Sequence, residues 1–171
     1  MEIPISIRRV ELSDLPQIYQ LKQLDTNPQG ISHQENYEER IRNHTDTFLL
    51  VTLNEEVLGY ILGTEIADAY ETGADNDLMI PGIELSNFIL IRSLTIDPKY
   101  YGQGFGTLLL AALKEVVCQF EKKGICVYCP EDLVGYYEMN GFSDEEMLDF
   151  PLEGRSIFVM IWRNPYLQEK V

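Results

Sequence analysis

The sequence is short of basic residues, and this shortage excludes one group of partners. It has 13 lysines and arginines against 28 aspartates and glutamates, so its formal net charge is −15. Nucleic acids and anionic membrane surfaces attract proteins through basic patches. We therefore expect neither a nucleic acid nor a membrane as partner. A negative field suits a cationic substrate, although the same charge also serves solubility alone.

Cysteine and histidine are also scarce, which argues against a metal or redox site. Cys126 and Cys129 form a Cys-x-x-Cys pair, but they lie inside a run typical of a strand. No second pair exists, Cys118 is left over, and His33 and His44 are far away in sequence. We expect no metal, and we expect buried, reduced thiols, which favour a reducing compartment.

A long apolar run is the third feature that the sequence lacks. No stretch approaches the ~20 apolar residues that span a bilayer, and the N-terminus does not resemble a signal peptide. Hydrophobic residues still make up 45% of the 171 residues, which is enough for a core. We therefore predict one cytoplasmic domain over residues 1–171.

Periodicity predicts a mixed α/β domain with the element order β-α-α-β-β-β-α-β-α-β. The predicted strands cover residues 5–10, 47–52, 57–63, 88–96, 125–129 and 156–162. The first helix starts after Ser13-Asp14, and the others cover residues 34–43, 104–122 and 131–140. The third helix is expected to bury Leu109, Leu113, Val116, Val117 and Phe120, and to stop at Lys122-Lys123-Gly124.

Residues 64–86 form the least regular part of the sequence. Six carboxylates accumulate there without one basic residue: Glu65, Asp68, Glu71, Asp75, Asp77 and Glu84. The segment is either a solvated loop or an acidic lip over a substrate entrance. Both interpretations stay open, because loops of this length in compact domains are often functional.

The most informative stretch is the junction at residues 91–107. A β-branched run ends at Asp97-Pro98, and Gly102, Gly104 and Gly106 then lead into a helix. Glycines let the backbone approach a ligand, while the helix start offers unpaired N–H groups and a positive dipole end. This arrangement favours a pyrophosphate site. The spacing fits neither the dinucleotide fingerprint nor the lysine-containing mononucleotide loop, and a tight turn without ligand is the alternative.

The segment Tyr101–Gly106 resembles the Gln/Arg-x-x-Gly-x-Gly/Ala motif of the GNAT acyltransferase superfamily, with Tyr101 at the position usually held by Arg or Gln. The resemblance implies a GNAT-like α/β fold with about six to seven strands in a mixed central sheet, flanked by about four helices. It implies acetyl-CoA as co-substrate, with the backbone of Leu94, Thr95 and Ile96 along the pantetheine arm. It places the pyrophosphate on Gly102, Gln103, Gly104, Phe105, Gly106 and Thr107.

A second element lies downstream, where residues 136–142 resemble the Tyr-x-x-x-Gly-Phe element of the same superfamily. The resemblance implies that Tyr137 protonates the departing thiolate. Residues 129–137 are also similar to a segment of the arylalkylamine N-acetyltransferase branch. The two histidines that relay a proton in that branch fall on Leu90 and Arg92 in this sequence.

These features predict transfer of an acetyl group from acetyl-CoA to a small cationic primary amine, directly in a ternary complex. A backbone N–H near Thr95 or Ile96 would stabilise the oxyanion, and Tyr137 would act as general acid. Glu84 is the candidate base and Asp97 the second choice, although Asp-Pro after a strand is more often a turn device.

Two other functions remain open on the sequence. The protein could acetylate protein N-termini, with residues 64–86 forming a peptide groove, or it could bind acyl-CoA as a sensor without catalysis. A homodimer is a further possibility, because the C-terminal strand with Phe158 and Trp162 is expected to be exposed and could pair with a second copy.

Overall fold

The computed structural model describes residues 4–24, 36–43, 45–66, 85–152 and 155–167. These residues form seven strands and four α-helices. The strands are β1 (Ile5–Arg9), β2 (Phe48–Leu53), β3 (Glu56–Glu65), β4 (Phe88–Ile96), β5 (Gly124–Pro130), β6 (Ser143–Leu152) and β7 (Arg155–Arg163). The helices are α1 (Leu15–Leu24), α2 (Tyr37–Asn43), α3 (Phe105–Gln119) and α4 (Glu131–Met139).

The strands are hydrogen-bonded in the order β1-β2-β3-β4-β5-β7-β6. The sheet is mixed, because β4 and β5 run parallel while the β1–β2, β2–β3, β5–β7 and β6–β7 pairs are antiparallel. The predicted α/β class, sheet size and helix number are therefore confirmed. The chain divides into two compact units, Met1–Gly63 with Ile91–Val116 and Thr64–Leu90 with Val117–Val171.

The first unit is built on an aromatic and aliphatic core between its strands and the two short helices. Helix α1 buries Ile18 and Leu21, and α2 buries Tyr37 and Ile41, as their helical spacing predicts. The Tyr37 hydroxyl lies 3.1 Å from that of Tyr60 on β3, so both buried phenols are paired.

The entry to α1 depends on a buried carboxylate. Asp14 accepts two hydrogen bonds from the Arg8 guanidinium, each 2.8 Å long, and a third from the Glu11 N–H at 2.7 Å. The Arg8 guanidinium beside it lowers the pKa of Asp14, against the opposing effect of burial. The predicted helix start at Ser13-Asp14 is thus close to the observed one, with a 3₁₀ turn at Leu12–Asp14 preceding it.

The second unit centres on β5, whose residues 124–129 are all buried. β5 pairs with Phe88–Leu90 of β4 on one side and with β7 on the other, and β6 pairs with β7. Gly124 is needed at the start of β5, because a Cβ there would collide with the carbonyl oxygen of Trp162. Buried Asn164 holds the end of β7, since its N–H and side-chain amide donate to the carbonyls of Lys123 and Lys122 at 2.8 and 3.0 Å.

Strand β6 is absent from the predicted element order, which is therefore wrong at this point. Its sequence carries Asp144, Glu145, Glu146, Asp149 and Pro151, residues that are disfavoured in buried strands. They suit the outer position beside β7, because charges and proline protect an edge strand from pairing further.

The final strand is not an edge strand, contrary to the expectation that motivated a dimer. β7 lies between β5 and β6, so both of its hydrogen-bonding edges are occupied. A dimer formed by pairing along this strand is thereby excluded.

Helix α3 ends earlier than predicted. Its last residue is Gln119, so Phe120 lies outside the helix and is 43% exposed, and Val116 is only half-buried. Glu121, rather than a glycine, adopts the left-handed conformation with φ 54°. The N–H groups of Glu121 and Lys122 then donate back to Cys118 and Val117, which is the hydrogen-bond pattern of a Schellman motif.

Two features are absent from the described residues. None of the helices there has the length and apolar character needed to span a membrane. No group of three or more histidine, cysteine, aspartate or glutamate side chains in this part of the chain is arranged to hold a metal ion.

Candidate active site

The end of β4 is fixed by Asp97. Its N–H donates to the carbonyl of Leu58 at 2.8 Å, and its carboxylate accepts from the Lys99 N–H at 3.0 Å. This second bond caps a 3₁₀ turn over Pro98–Tyr100. Asp97 is buried and engaged in the turn, so it behaves as the turn device that the Asp-Pro pair favours and not as a free base.

The glycine turn that follows requires glycine at two positions. Gly102 and Gly104 have φ values of 76° and 87°, a region that other residues adopt only with strain. A Cβ at either position would meet nothing within 4 Å. The surface over the turn is thus open, and the backbone conformation alone demands glycine. Gly106 differs, since it lies within the first turn of α3.

Helix α3 begins directly behind this open surface. The Leu108 N–H donates to the Gly104 carbonyl at 3.0 Å, which closes the first helical hydrogen bond. The amides of Phe105, Gly106 and Thr107 therefore have no acceptor within the helix and lie at the positive end of its dipole. Phe105 is buried and packs edge-on against Tyr100, with 6.1 Å between the ring centroids. The six residues predicted to hold the pyrophosphate are consecutive and lie in the glycine turn and the first turn of α3.

The last residues of β4 belong to the same compact unit as the glycine turn. Leu94, Thr95 and Ile96 are buried. Gly59 on β3 allows the two strands to approach closely, because a Cβ there would lie 2.6 Å from the Thr95 carbonyl oxygen. Replacing Gly59 would push β4 away, so the position of this backbone depends on a glycine that the sequence analysis did not identify.

Tyr137 lies in the second unit, near the end of α4. The Phe142 N–H donates to the Tyr137 carbonyl and the Gly141 N–H donates to the Glu138 carbonyl, each at 3.0 Å. With Gly141 at φ 87°, this is a Schellman motif. The rings of Tyr137 and Phe142 pack edge-on at 5.3 Å, which supplies the hydrophobic contact of that motif. The Tyr-x-x-x-Gly-Phe spacing is thus the sequence of a helix end that fixes the tyrosine.

The Tyr137 hydroxyl has no hydrogen-bond partner among the described residues, although it is completely buried. Such a group costs about 1–3 kcal/mol, so native structures seldom retain one without a reason. Burial raises the pKa of Tyr137 well above 10, and Cys129 and Tyr136 raise it further. The hydroxyl therefore keeps its proton at neutral pH.

The two cysteines on β5 are inert as nucleophiles. Cys126 and Cys129 are both free, and burial raises the pKa of each thiol to about 12. Asp144 and Asp132 add to the effect at Cys129. Residues three apart in a strand point to opposite faces, so the two sulfurs cannot act as a pair. Because the thiolate is the reactive form, neither residue offers a nucleophile near pH 7.

Residues around the end of β5 form a cleft that the sequence analysis missed. It has a volume of about 540 Å³ and is lined by Pro130, Glu131, Asp132 and Ser156. Ser156 is distant in sequence, but the pairing of Pro130 with Ile157 brings it beside the start of α4. The cleft could have been predicted only if the pairing of β5 with β7 had been known.

The candidate base Glu84 lies outside the described residues, as do His33, His44 and residues 67–84 of the acidic segment.

The model of the acetyltransferase (GNAT) family matches residues 15–142. No curated protein sequence matches the chain.

Solved structures share the fold at low identity. Ard1 from Thermoplasma volcanium has a TM-score of 0.71 at 16% identity, over 93% of this chain and 97% of its own. The ribosomal-protein-S18-alanine N-acetyltransferase from Escherichia coli has a TM-score of 0.67 at 15% identity, over 98% and 99%. A putative streptothricin acetyltransferase from Bacillus anthracis in complex with acetyl coenzyme A has a TM-score of 0.65 at 16% identity, over 94% and 98%.

Proposed function

The chain belongs to the GNAT acetyltransferase family and is an acetyl-CoA-dependent N-acetyltransferase, and we propose that its acceptor is a small cationic primary amine, acetylated by direct transfer in a ternary complex. The orphan hydroxyl of Tyr137 carries this proposal. A buried donor that has no hydrogen-bond partner in the free protein is available to donate to a group of a bound substrate.

In the proposed reaction, the neutral amine nitrogen attacks the thioester carbonyl carbon. The carbonyl oxygen gains negative charge, and a backbone N–H near Thr95 or Ile96 stabilises it. The carbon–sulfur bond then breaks as the tetrahedral intermediate collapses, and Tyr137 transfers its proton to the sulfur. The amine loses one proton to a base or to water, and the Tyr137 phenolate recovers one from solvent, so the proton count balances.

Acetyl-CoA would bind through the glycine turn. The open surface over Gly102 and Gly104 and the free amides of Phe105, Gly106 and Thr107 fit a pyrophosphate. The side chain of Gln103 would add a neutral donor there. Short-range N–H donors can bind an anion despite the net charge of −15, because distant surface charges are screened.

Direct transfer is favoured over a covalent acyl-enzyme because the buried thiols on β5 are protonated. A ping-pong route through Cys126 or Cys129 would need a thiolate, and the pKa of about 12 at both residues opposes its formation. The amine must nevertheless be deprotonated, and Glu84 remains our candidate base. The strongly negative charge of the protein supports a cationic acceptor.

A thiol-release assay tests the proposal. Acetyl-CoA is offered with mono- and polyamines, arylalkylamines, aminoglycosides and short peptides with free N-termini. We expect release with small cationic amines and a turnover rate for Tyr137→Phe that is lower by about 10²- to 10⁴-fold, the usual contribution of a general acid. The neighbouring substitution Tyr136→Phe serves as the matched control and should retain activity. Turnover with peptides alone would instead assign an N-terminal acetyltransferase and refute the proposed acceptor.

A further inference from the structure

Strand β3 carries one extra residue next to the end of β4. Val51 of β2 pairs with Gly59, whereas the next residue of β2 pairs with Val57. Leu58 is thus the extra residue of a β-bulge, a feature that increases the twist of its strand and redirects the groups beside it. The carbonyl of Leu58 accepts the N–H of Asp97 at 2.8 Å. The bulge therefore carries the hydrogen bond that fixes the end of β4.

Helix α1 holds this bulge in place. The side-chain oxygen of Gln17 accepts the N–H of Val57 at 3.1 Å. A bulge disrupts the ladder of hydrogen bonds, and a buried N–H that lost its acceptor would lower the stability of the fold. Gln17 is half-buried and supplies the acceptor from 40 positions away in the sequence.

Gly59 follows the bulge, and space rather than conformation requires a glycine there. Its φ lies outside the left-handed region, unlike that of the glycines in the turn after β4. A Cβ at this position would lie 2.6 Å from the Thr95 carbonyl oxygen and 2.6 Å from Cδ1 of Ile96. The Cδ1 atom ends a side chain that can rotate, but the oxygen belongs to the backbone of β4. Gly59→Ala would therefore displace the Thr95 carbonyl.

The direction of this carbonyl determines the direction of the N–H group in the same peptide unit. The Thr95 oxygen lies 2.6 Å from the Cβ position of Gly59, and its carbonyl carbon lies farther away, so the C=O bond is directed toward Gly59. The Thr95–Ile96 peptide bond is trans, which orients its N–H opposite to its C=O. The Ile96 N–H therefore points away from Gly59.

We propose that Gly59 is a positioning residue of the acetyl transfer. It leaves room for the Thr95 carbonyl and thereby holds the Ile96 N–H on the opposite side, where this group donates to the oxyanion formed from acetyl-CoA. The inference rests on the proposed function, which puts the thioester carbonyl near these two residues. The Leu58 bulge and Gln17 act through the same peptide, because they hold Gly59 against β4 within the first compact unit.

Steady-state kinetics of Gly59→Ala test the proposal, with the amine that gives the fastest thiol release. We expect kcat to fall by about 10²-fold, the loss that a displacement of about 1 Å causes in a reacting geometry. Ile18→Val is the matched control, because it shortens a fully buried side chain in the core of the same unit. It should lower Tm and leave kcat unchanged. An unchanged kcat in folded Gly59→Ala would overturn the proposal.

The double variant Gly59→Ala/Ile96→Val separates the two contacts that a Cβ would make. The second substitution removes Cδ1 and with it the side-chain collision, but the collision with the Thr95 carbonyl remains. We expect Tm to recover in part relative to Gly59→Ala, while kcat stays low. Recovery of kcat would overturn the proposal, because displacement of the Ile96 side chain would then explain the loss.

Gln17→Met provides the test if Gly59→Ala does not fold. It keeps the size of the side chain and removes the acceptor of the Val57 N–H. We expect a fall in kcat smaller than about 10²-fold, since the bulge is loosened and the Gly59 site stays open. Gln20→Met, at an exposed glutamine of the same helix, should leave kcat unchanged. Equal kcat values in Gln17→Met and Gln20→Met would overturn the proposal.

Calorimetric titration with CoA distinguishes this inference from the proposed function, because CoA binding needs no acceptor. Gly59→Ala should weaken CoA binding by about tenfold, which corresponds to the loss of one or two backbone hydrogen bonds to the pantetheine arm. This result supports the role of Gly59 even if no amine is acetylated, in which case the proposed acceptor alone fails. Native CoA affinity together with native kcat in Gly59→Ala would overturn the inference and leave the proposed function intact.

Discussion

Replacing Tyr137 with phenylalanine should stabilise the free protein while it impairs catalysis. The substitution removes a completely buried hydroxyl that has no partner among the described residues and leaves the edge-on packing with Phe142 in place. An unsatisfied buried donor costs about 1–3 kcal/mol, and part of that gain is lost to the small void left behind. We expect a net stabilisation of about 1 kcal/mol, which corresponds to roughly 2–4 °C in Tm for a chain of this size.

Thermal unfolding and steady-state kinetics of the same variant measure both effects. The turnover rate should fall by about 10²- to 10⁴-fold, which corresponds to about 3–5 kcal/mol of transition-state stabilisation. The raised pKa also predicts that the native enzyme shows no loss of activity from Tyr137 ionisation below about pH 10. Tyr136→Phe, which changes the adjacent ring, should show neither the stabilisation nor the loss of activity. A lower Tm together with an unchanged turnover rate in Tyr137→Phe would refute the reasoning, because the hydroxyl would then be a structural group.

Three further predictions, two of them with a matched control variant, test the backbone conformation and the Cys126 thiol. Gly104→Ala should lower the free energy of unfolding by about 1–2 kcal/mol and weaken CoA binding in calorimetry, because φ is 87° at this position. The control Gly135→Ala, at an equally open but helical position, should raise the free energy of unfolding by about 0.5–1 kcal/mol and leave CoA affinity unchanged. Equal effects of the two substitutions would show that the positive φ of Gly104 is not what requires glycine there. Glu121→Gly should raise stability by about 0.5–1 kcal/mol in urea unfolding because φ is 54° there, and Glu121→Gln should not. Burial raises the pKa of Cys126 from 9.0 to about 12 in the folded state. The stability that the protonated thiol contributes is therefore fully present below pH 9 and is lost as the pH rises from 9 towards 12. Cys126→Ala should therefore reduce the stability loss between pH 8 and 10 by about 1 kcal/mol, and an unchanged pH dependence would disprove the assignment.

Local patterns in the sequence predicted the elements that position the site. The span of β4 is as predicted because a β-branched run ends at Asp97-Pro98, which forms the expected turn. The glycine turn is also as predicted, since two of its three glycines have the positive φ that only glycine adopts without strain. The Tyr137–Phe142 spacing was identified by resemblance, and the structure supplies its physical cause, a Schellman motif.

The sequence-based predictions were wrong or incomplete where contacts between distant parts of the chain determine the structure. Strand β6 was missed because its acidic sequence is compatible with a strand only at an outer position beside β7. The same pairing overturned the idea that the C-terminal strand is exposed. The cleft at Glu131 and Asp132 was missed because one of its lining residues, Ser156, lies on β7, which is distant in sequence.

The most direct test of the account is the initial rate of thiol release over a matrix of acetyl-CoA and 1,4-diaminobutane concentrations. Direct transfer by a cationic-amine acetyltransferase predicts release that depends on the amine and double-reciprocal plots that intersect. Parallel plots would contradict direct transfer, because they indicate an acyl-enzyme. Thiol release that no amine accelerates would contradict the proposed acceptor itself.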